Sequence, residues 1–420
     1  MTANGRLSVS PNRSVNGSPG AVDVPESDNT GAVFKTRGGV KKYLWLFSLV
    51  GAAIAPLTVF LYNVSGGNTF ATLFPLFYIY AFVPMLDLAF GEDPFNPSAE
   101  EIEAMEADPF YRRLLHVSVP LFYASFFVVV WFVGTNALPW WSLAALAWGF
   151  GSMHGDVLTI GHELGHKSNR TDRTLAQIIN GLIGYGHFCI EHNRGHHVWV
   201  STPEDPASAR MGESIYRFAA RELPGAFRRG WAHETERLQR KGLSKWSLRN
   251  EILQSYALTL VVSIVVVALF GVKTIPFMVA HHLVGWYALT QANYVEHYGL
   301  KREKLPTGKY EPVAPRHSWN TNHIVSNLLL FQLQRHSDHH ANAQRPYQVL
   351  RNFPDLPRLP SGYPGCFAMA AVPPVWFRVM DPKVIDWAGG DLEKVNVAPH
   401  ARERLARTYG APDLAATPAE

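Results

Sequence analysis

Four short stretches of the chain carry nine histidines at spacings that suit metal binding. They are "HELGH", with His162 and His166; "EHNRGHH", with His192, His196 and His197; "NYVEHYGL", with His297; and "LQRHSDHH", with His336, His339 and His340. Residues three or four apart share one face of a helix. His162 with His166, His192 with His196, and His336 with His339 and His340 are therefore each expected to grip a metal from one face. The first stretch also matches H-E-x-x-H, in which two histidines hold zinc and the glutamate serves as general base for peptide hydrolysis. A catalytic zinc takes three protein ligands and keeps one position open. Nine clustered histidines are too many for one such ion, and no stretch reads as a peptide cleft. They suit two metals with four or five imidazoles each. Imidazole binds zinc, copper, iron and nickel alike, so the ligand type does not choose the metal.

Metal-bound histidines usually donate their second ring N–H to a carboxylate or a carbonyl. Glu163, Glu191, Glu296 and Asp338 adjoin the clustered histidines and are the candidates for that role. Weaker candidates are His187, His317 and His323, close to the clusters in sequence, and the polar pair His154 and Asp156 in an apolar stretch. His154 lies eight residues before His162, about 12 Å along a helix. His281 and His282 lie roughly 24 Å from His297 on the same reckoning and are excluded as ligands.

Something must bring four separated stretches together. Hydrophobic residues make up 47% of the chain and charged residues only 17%, a balance that leans toward a membrane protein. A membrane helix needs about 20 apolar residues. Six stretches qualify, at about 43–62, 69–90, 114–134, 138–160, 252–271 and 274–295. Lys and Arg alternate between the links, from "KTRGGVKK" before the first stretch to "KREK" after the last. By the positive-inside rule both termini are cytoplasmic. All nine histidines then lie at or beyond cytoplasmic ends of spans. The chain is thus read as an all-α integral membrane protein, with six transmembrane helices and a cytoplasmic histidine-rich cap. Residues 1–38 are expected to be a disordered tail, 39–395 the membrane domain, and 396–420 a C-terminal tail.

The remaining signals narrow the class. A net charge of +4 and the lack of a basic reader motif give no reason to expect nucleic acid. Cys189 and Cys366 make neither a disulfide framework nor a cysteine metal site. The arginine-rich segment 210–249 reads as an amphipathic surface helix, suited to lipid headgroups or to an acidic protein. The apolar "CFAMAAVPPVWF" within the Pro-rich end is expected to dip into the membrane interface. A metal transporter would need polar ligands along the middle of its spans, whereas these histidines gather at one end.

The histidine spacing on six spans resembles the membrane-bound non-haem di-iron superfamily of desaturases, xylene-type hydroxylases and alkane monooxygenases. "NYVEHYGL" is similar to the signature of the hydroxylases. "GHELGHK", "EHNRGHH", "LQRHSDHH", "TPEDPASARMGESIY", "HSWNTNHIVSN" and "MDPKVIDWAGGDL" resemble the alkane monooxygenase family in particular, over about residues 40–395. That resemblance implies a multi-pass protein of the bacterial cytoplasmic membrane that hydroxylates the terminal methyl of a medium-chain n-alkane. It implies two irons held by the nine histidines, and dioxygen as co-substrate. It implies electrons from NADH through a reductase and a rubredoxin. The chain lacks the paired C-x-x-C motifs of a rubredoxin, so the carrier is expected as a separate protein or a domain beyond residue 420. Alkyl-aromatic methyls or fatty acyl chains, the latter hydroxylated or desaturated, are the neighbouring substrates.

Overall fold

The computed structural model describes residues 40–410. The expected tail at 1–38, and residues 411–420 of the expected C-terminal tail, lie outside the described residues. The described residues are helical, with only isolated β-bridges such as Met211 with Val397.

Four helices are long and apolar enough to cross a membrane: α1 (Lys42–Val64), α2 (Thr69–Phe90), α3 (Pro109–Thr135) and, later in the chain, Glu251–Phe270. They turn large apolar side chains outward, Leu88, Phe70 and Leu269 among them. Contiguous outward apolar surface of this kind marks a membrane or partner interface. The other two expected spans are helices of another character. Helix α4 (Trp140–Gly155) has 16 residues, about 24 Å, and breaks before α5 (Leu158–Gly165). The helix Thr274–His297 is long enough, but His281, His282, Gln291, Asn293 and Glu296 interrupt its apolar run.

Three helices complete the middle of the chain: α6 (Arg170–Gly181), α7 (Ile215–Gln239) and α8 (Glu251–Phe270). Thr274–His297 is α9. Small residues let α4 and α9 lie close together. A Cβ on Gly151 would stand 2.7 Å from Val284 Cβ, and one on Gly155 would stand 2.6 Å from Ala288 Cβ. Helix α9 delivers His297 at its last residue. The short α10 (His336–Ala341) carries the last three of the nine clustered histidines.

The C-terminal third is a second core. Helices α11 (Tyr363–Ala370) and α12 (Pro373–Trp387) bury Cys366, Phe367, Ala370 and Trp376 against Tyr294 and Tyr298 of the α9 end. The stretch expected to dip into the membrane interface is therefore divided: those four side chains pack inward, whereas Val372 and Val375 are exposed. Residues 396–410 are packed as well. Leu405, on α13 (Arg402–Tyr409), is fully buried, and Ala401 seals Gly212.

Candidate metal centre

The nine histidines form two groups. In one, a ring nitrogen from each of His162, His166, His192, His197 and His339 lies within 4.8 Å of the others; in the second the same holds for His196, His297, His336 and His340. The groups adjoin, with the His197 and His340 ring centroids 4.4 Å apart. Eight of the nine are buried and His197 is half-buried, next to exposed Val198 and Trp199.

The grouping differs from the expected helix faces. His192 and His196 are split between the groups, and so are His339 and its neighbours His336 and His340. Residues 192–196 form a π turn, in which the His197 N–H reaches back to the His192 carbonyl. That extra residue per turn sets His197, not His196, above His192, with the two Nε2 atoms 3.0 Å apart. Adjacent His196 and His197 thus face different groups. Inserted π turns are frequent at functional sites. Neighbours His339 and His340 on α10 diverge for a simpler reason, since successive helical residues point about 100° apart.

The ring nitrogens suit a cation. His339 Nε2 lies 3.1 Å from His197 Nε2, and His336 Nε2 lies 3.3 Å from His297 Nε2 and 2.9 Å from His340 Nε2. Two nitrogens each about 2.1 Å from one metal at right angles stand about 3 Å apart. Such a convergence of lone pairs cannot be satisfied by hydrogen bonds among the rings alone. Nε2 of His162, His166 and His196 is buried without a hydrogen-bond partner. Burial, and then the neighbouring imidazoles, push the first group well toward the neutral form; His162 falls to about 3. A neutral ring is the one that offers a lone pair to a metal.

His196 is the exception. Burial opposes its charge, yet Asp205 beside it holds its pKa above the ordinary value. Asp205 Oδ2 accepts from His196 Nδ1 at 2.9 Å, which leaves Nε2 free to face the group. Asp205 is itself held by Ser208 Oγ at 2.7 Å and Arg229 at 2.7 Å. Burial would raise its carboxyl, but His196 and Arg229 hold it well below the usual carboxylate range. Neither Asp205 nor Arg229 was singled out in the sequence. The available signal was the Asx-type turn "EDPAS", nine residues after His196, in which Asp205 Oδ1 accepts from the Ala207 N–H at 3.2 Å.

The four expected carboxylates take different places. Glu296 Oε2 stands 3.2 Å from His336 Nε2, the atom that faces the group, and its Oε1 accepts from the Tyr363 hydroxyl at 2.7 Å. Glu163 pairs with Lys167 at 2.6 Å. Glu191 pairs with Arg229. Asp338 gathers Asn342, Arg345 and Arg351 and so ties down the loop after α10. These last three bind cations or amides rather than the histidine rings.

The weaker candidates stay outside both groups. His154 hydrogen-bonds His281 at 2.9 Å and Ser125 at 3.2 Å, not Asp156. His187 meets the Tyr256 hydroxyl at 3.0 Å. His317 meets Glu311 at 3.1 Å, and His323 lies 4.0 Å from Glu92.

The flanking motifs act as clamps. A Cβ on Gly161 would fall 2.0 Å from Asn180 Oδ1, and one on Gly165 would fall 2.6 Å from Cys189 Sγ, so "GHELGH" lies flat on α6 and on the stretch 188–199. In "HSWN", the Ser318 carbonyl accepts from Ser337 Oγ at 2.8 Å, and Asn320 Oδ1 accepts from the Ser337 N–H at 2.9 Å, which fixes the start of α10. Trp319 donates from its backbone to the Glu296 carbonyl at 2.8 Å and from Nε1 to the Tyr298 carbonyl at 2.9 Å. The Tyr298 hydroxyl joins "RMGES" to "MDPK": it accepts from the Gly212 N–H and donates to Asp381, at 2.8 and 2.7 Å.

A mainly apolar cavity of about 480 Å³ opens against His162, His192 and His336, with Phe188, Ala288 and Leu289 among its walls.

Comparisons with known proteins agree with this geometry. Residues 136–366 match the family described as fatty acid desaturase. The chain is 51% identical over 371 residues to the alkane 1-monooxygenase of Ectopseudomonas oleovorans, covering 88% of this chain and 92% of that protein. It is 46% identical over 386 residues to alkane 1-monooxygenase 1 of Alcanivorax borkumensis, covering 92% and 94%. It is 30% identical over 246 residues to the hydroxylase component of the xylene/toluene monooxygenase of Pseudomonas putida, covering 58% and 64%. With its histidines, its apolar cavity and these relatives taken together, the chain belongs to the alkane 1-monooxygenase family.

Proposed function

We propose that this protein hydroxylates the terminal methyl of medium-chain n-alkanes, with dioxygen as oxidant and two irons held by the nine histidines. The observation that carries the reading is the meeting of two histidine groups with an apolar cavity in a chain that has helices apolar enough to cross a membrane. In the reaction an alkane, dioxygen, two electrons and two protons become a 1-alkanol and water. His162, His166, His192, His197 and His339 would hold one iron, and His196, His297, His336 and His340 the other. Bound iron supplies the activation of dioxygen and the attack on an unactivated C–H bond.

The chain's own residues do the rest. Asp205 fixes the ring of His196, and Arg229 keeps Asp205 ionised. The cavity excludes water and holds the substrate by burial, roughly 0.8 kcal/mol per CH₂. Its position against His162 and His336 decides which carbon reaches the metals. An alkane dissolves in the bilayer and can enter sideways. On this reading α4 and α9 complete six spans, and both termini face the cytoplasm, where a rubredoxin delivers electrons derived from NADH. Half-buried His197 beside exposed Trp199 is the side of the site nearest solvent. Arg221, Arg229 and Arg237 of the arginine-rich helix α7 are spent on Glu213, Glu191 and Glu234. Exposed Arg217, Arg228 and Arg240 remain for an acidic partner.

The test is product analysis. The purified protein is supplied with rubredoxin, reductase, NADH, n-octane and heavy-isotope dioxygen. Labelled 1-octanol is expected by mass spectrometry. If no alcohol forms with iron loaded and electron flow verified, the reading is overturned in favour of acyl or alkyl-aromatic substrates.

A further inference from the structure

The cavity beside the histidines meets a second one, of about 550 Å³, that no histidine lines. Asp156, Leu330 and Phe367 line both, so these residues mark the junction. The second cavity is again mainly apolar, with four polar side chains on its walls: Ser48, Tyr78, Asp156 and Ser326. Two of them are satisfied. Ser48 Oγ donates to the Trp45 carbonyl at 2.7 Å, and Ser326 Oγ accepts from Gln334 Nε2 at 2.9 Å.

The other two are not. The Tyr78 hydroxyl is buried with no hydrogen-bond partner among the described residues. Thr159 Oγ1 reaches Asp156 at 2.8 Å, but at its main-chain oxygen, and the Asp156 N–H goes to the Ser152 carbonyl. No hydrogen bond from the described residues comes to the Asp156 carboxylate. In the cavity beside the histidines, by contrast, Asn293 donates to Glu222 and Glu296 accepts from Tyr363.

Buried polar groups are hydrogen-bonded in nearly all folded proteins. A buried phenol and a half-buried carboxylate that are not, on the walls of one apolar passage, call for an occupant with hydrogen bonds of its own. An n-alkane has none to give. A 1-alkanol has a hydroxyl that donates one hydrogen bond and accepts others, which matches an accepting carboxylate and a donating phenol. We propose that Asp156 and Tyr78 form a binding site for the hydroxyl of a primary alcohol, placed to draw the product out of the histidine-lined cavity. The identity of the alcohol as product rests on the terminal-hydroxylation reading above. The site predicts that 1-alkanols bind this protein more tightly than their size alone would allow and compete with n-alkanes.

The experiment has two arms. In the first, saturable binding of labelled 1-octanol is measured on the full chain in nanodiscs, against empty nanodiscs, for the parent, Asp156→Leu, Asp156→Asn and Tyr78→Phe. Iron content and thermal melting establish that each variant is folded. Asp156→Leu is expected to weaken 1-octanol binding about tenfold, the size of one lost hydrogen bond. Tyr78→Phe should weaken it about threefold, and Asp156→Asn less than Asp156→Leu. In the second arm, unlabelled 1-octanol inhibits hydroxylation of deuterated n-octane. Its inhibition constant should rise in the same order. Absent saturable binding, or binding equal in all four proteins, would mean that water alone fills the site and would overturn the proposal. A parent that binds 1-octanol but makes no deuterated alcohol would instead overturn the assigned reaction and leave the alcohol site standing.

Discussion

The two histidine groups are alike in ligand type and unlike in their surroundings. The first gathers five imidazoles, and the nearest acid on its own helix, Glu163, turns away to Lys167. The second gathers four imidazoles and has carboxylates where the first has a fifth ring. Asp205 grips His196 from behind, and Glu296 stands 3.2 Å from His336 Nε2. Glu191 lies close enough to favour the charge on His196, with Arg229 as its counter-charge. Opposite charges attract far more strongly in a buried site than in water. A cation in the second group meets negative charge at close range; one in the first meets neutral rings. The two positions are therefore not interchangeable, although the motifs that build them look equivalent.

The largest effect that can break this comparison comes from removing one ring from each group. His197→Ala strips the first group and His340→Ala the second. Each is expected to lower iron from two per chain to about one and to leave below about 1% of the activity, since even supporting residues cost 10–100-fold. Elemental analysis and octane turnover on the same preparations are the readouts. Full iron in either variant would remove that histidine from the ligand set.

Asp205→Asn comes next. The amide can still accept a hydrogen bond, but it no longer carries the charge that stabilises His196 and answers Arg229. A drop of about tenfold to a hundredfold in iron affinity is expected, confined to one of the two irons. Glu163→Gln, the matching change beside the first group, should shift affinity by less than about threefold, because Lys167 already neutralises Glu163 and no histidine ring of the group hydrogen-bonds it among the described residues. Equal losses in the two variants would mean that the groups are electrostatically equivalent after all.

The sequence made the nine clustered histidines legible and left their sorting hidden. Histidine at three- and four-residue spacing is visible without coordinates, and the expected topology gathers it at one end. Which ring joins which neighbour depends on the π turn at 192–196, and no side-chain pattern announces an extra residue in a helix. Asp205 was hidden for a related reason. It reaches His196 from a loop nine residues on, and loops have no period from which to read direction. The apolar helices were clear where burial and lipid exposure ask for the same residues, as in α1, α3 and α8. They were ambiguous in α9, whose inner face must be polar enough to carry Asn293, Glu296 and His297 to the site. The stretch "CFAMAAVPPVWF" shows the limit of composition, since an apolar run suits the core of a protein as well as it suits lipid.

The smallest expected effect tests the acidic flank of the second group from a residue outside the ligand set. Glu222 on α7 accepts hydrogen bonds from Thr290 Oγ1 at 2.8 Å and Asn293 Nδ2 at 3.3 Å. Burial, and after it the charges of Glu191 and Asp205, push its carboxyl from an ordinary 4.5 up to about 7. Below pH 4.5 the carboxyl is protonated in both the folded and the unfolded chain and favours neither. Between 4.5 and 7 the folded chain keeps a proton that the unfolded chain has lost, so stability falls as pH rises. Above 7 both states are ionised and the loss is constant. Glu222→Gln has the shape of the protonated side chain and nothing to ionise. Its melting temperature, measured in detergent from pH 5 to pH 8, should rise relative to the parent by a few degrees and then level off. Two curves that run parallel would mean that Glu222 keeps an ordinary pKa and is less desolvated in the folded chain than its burial implies.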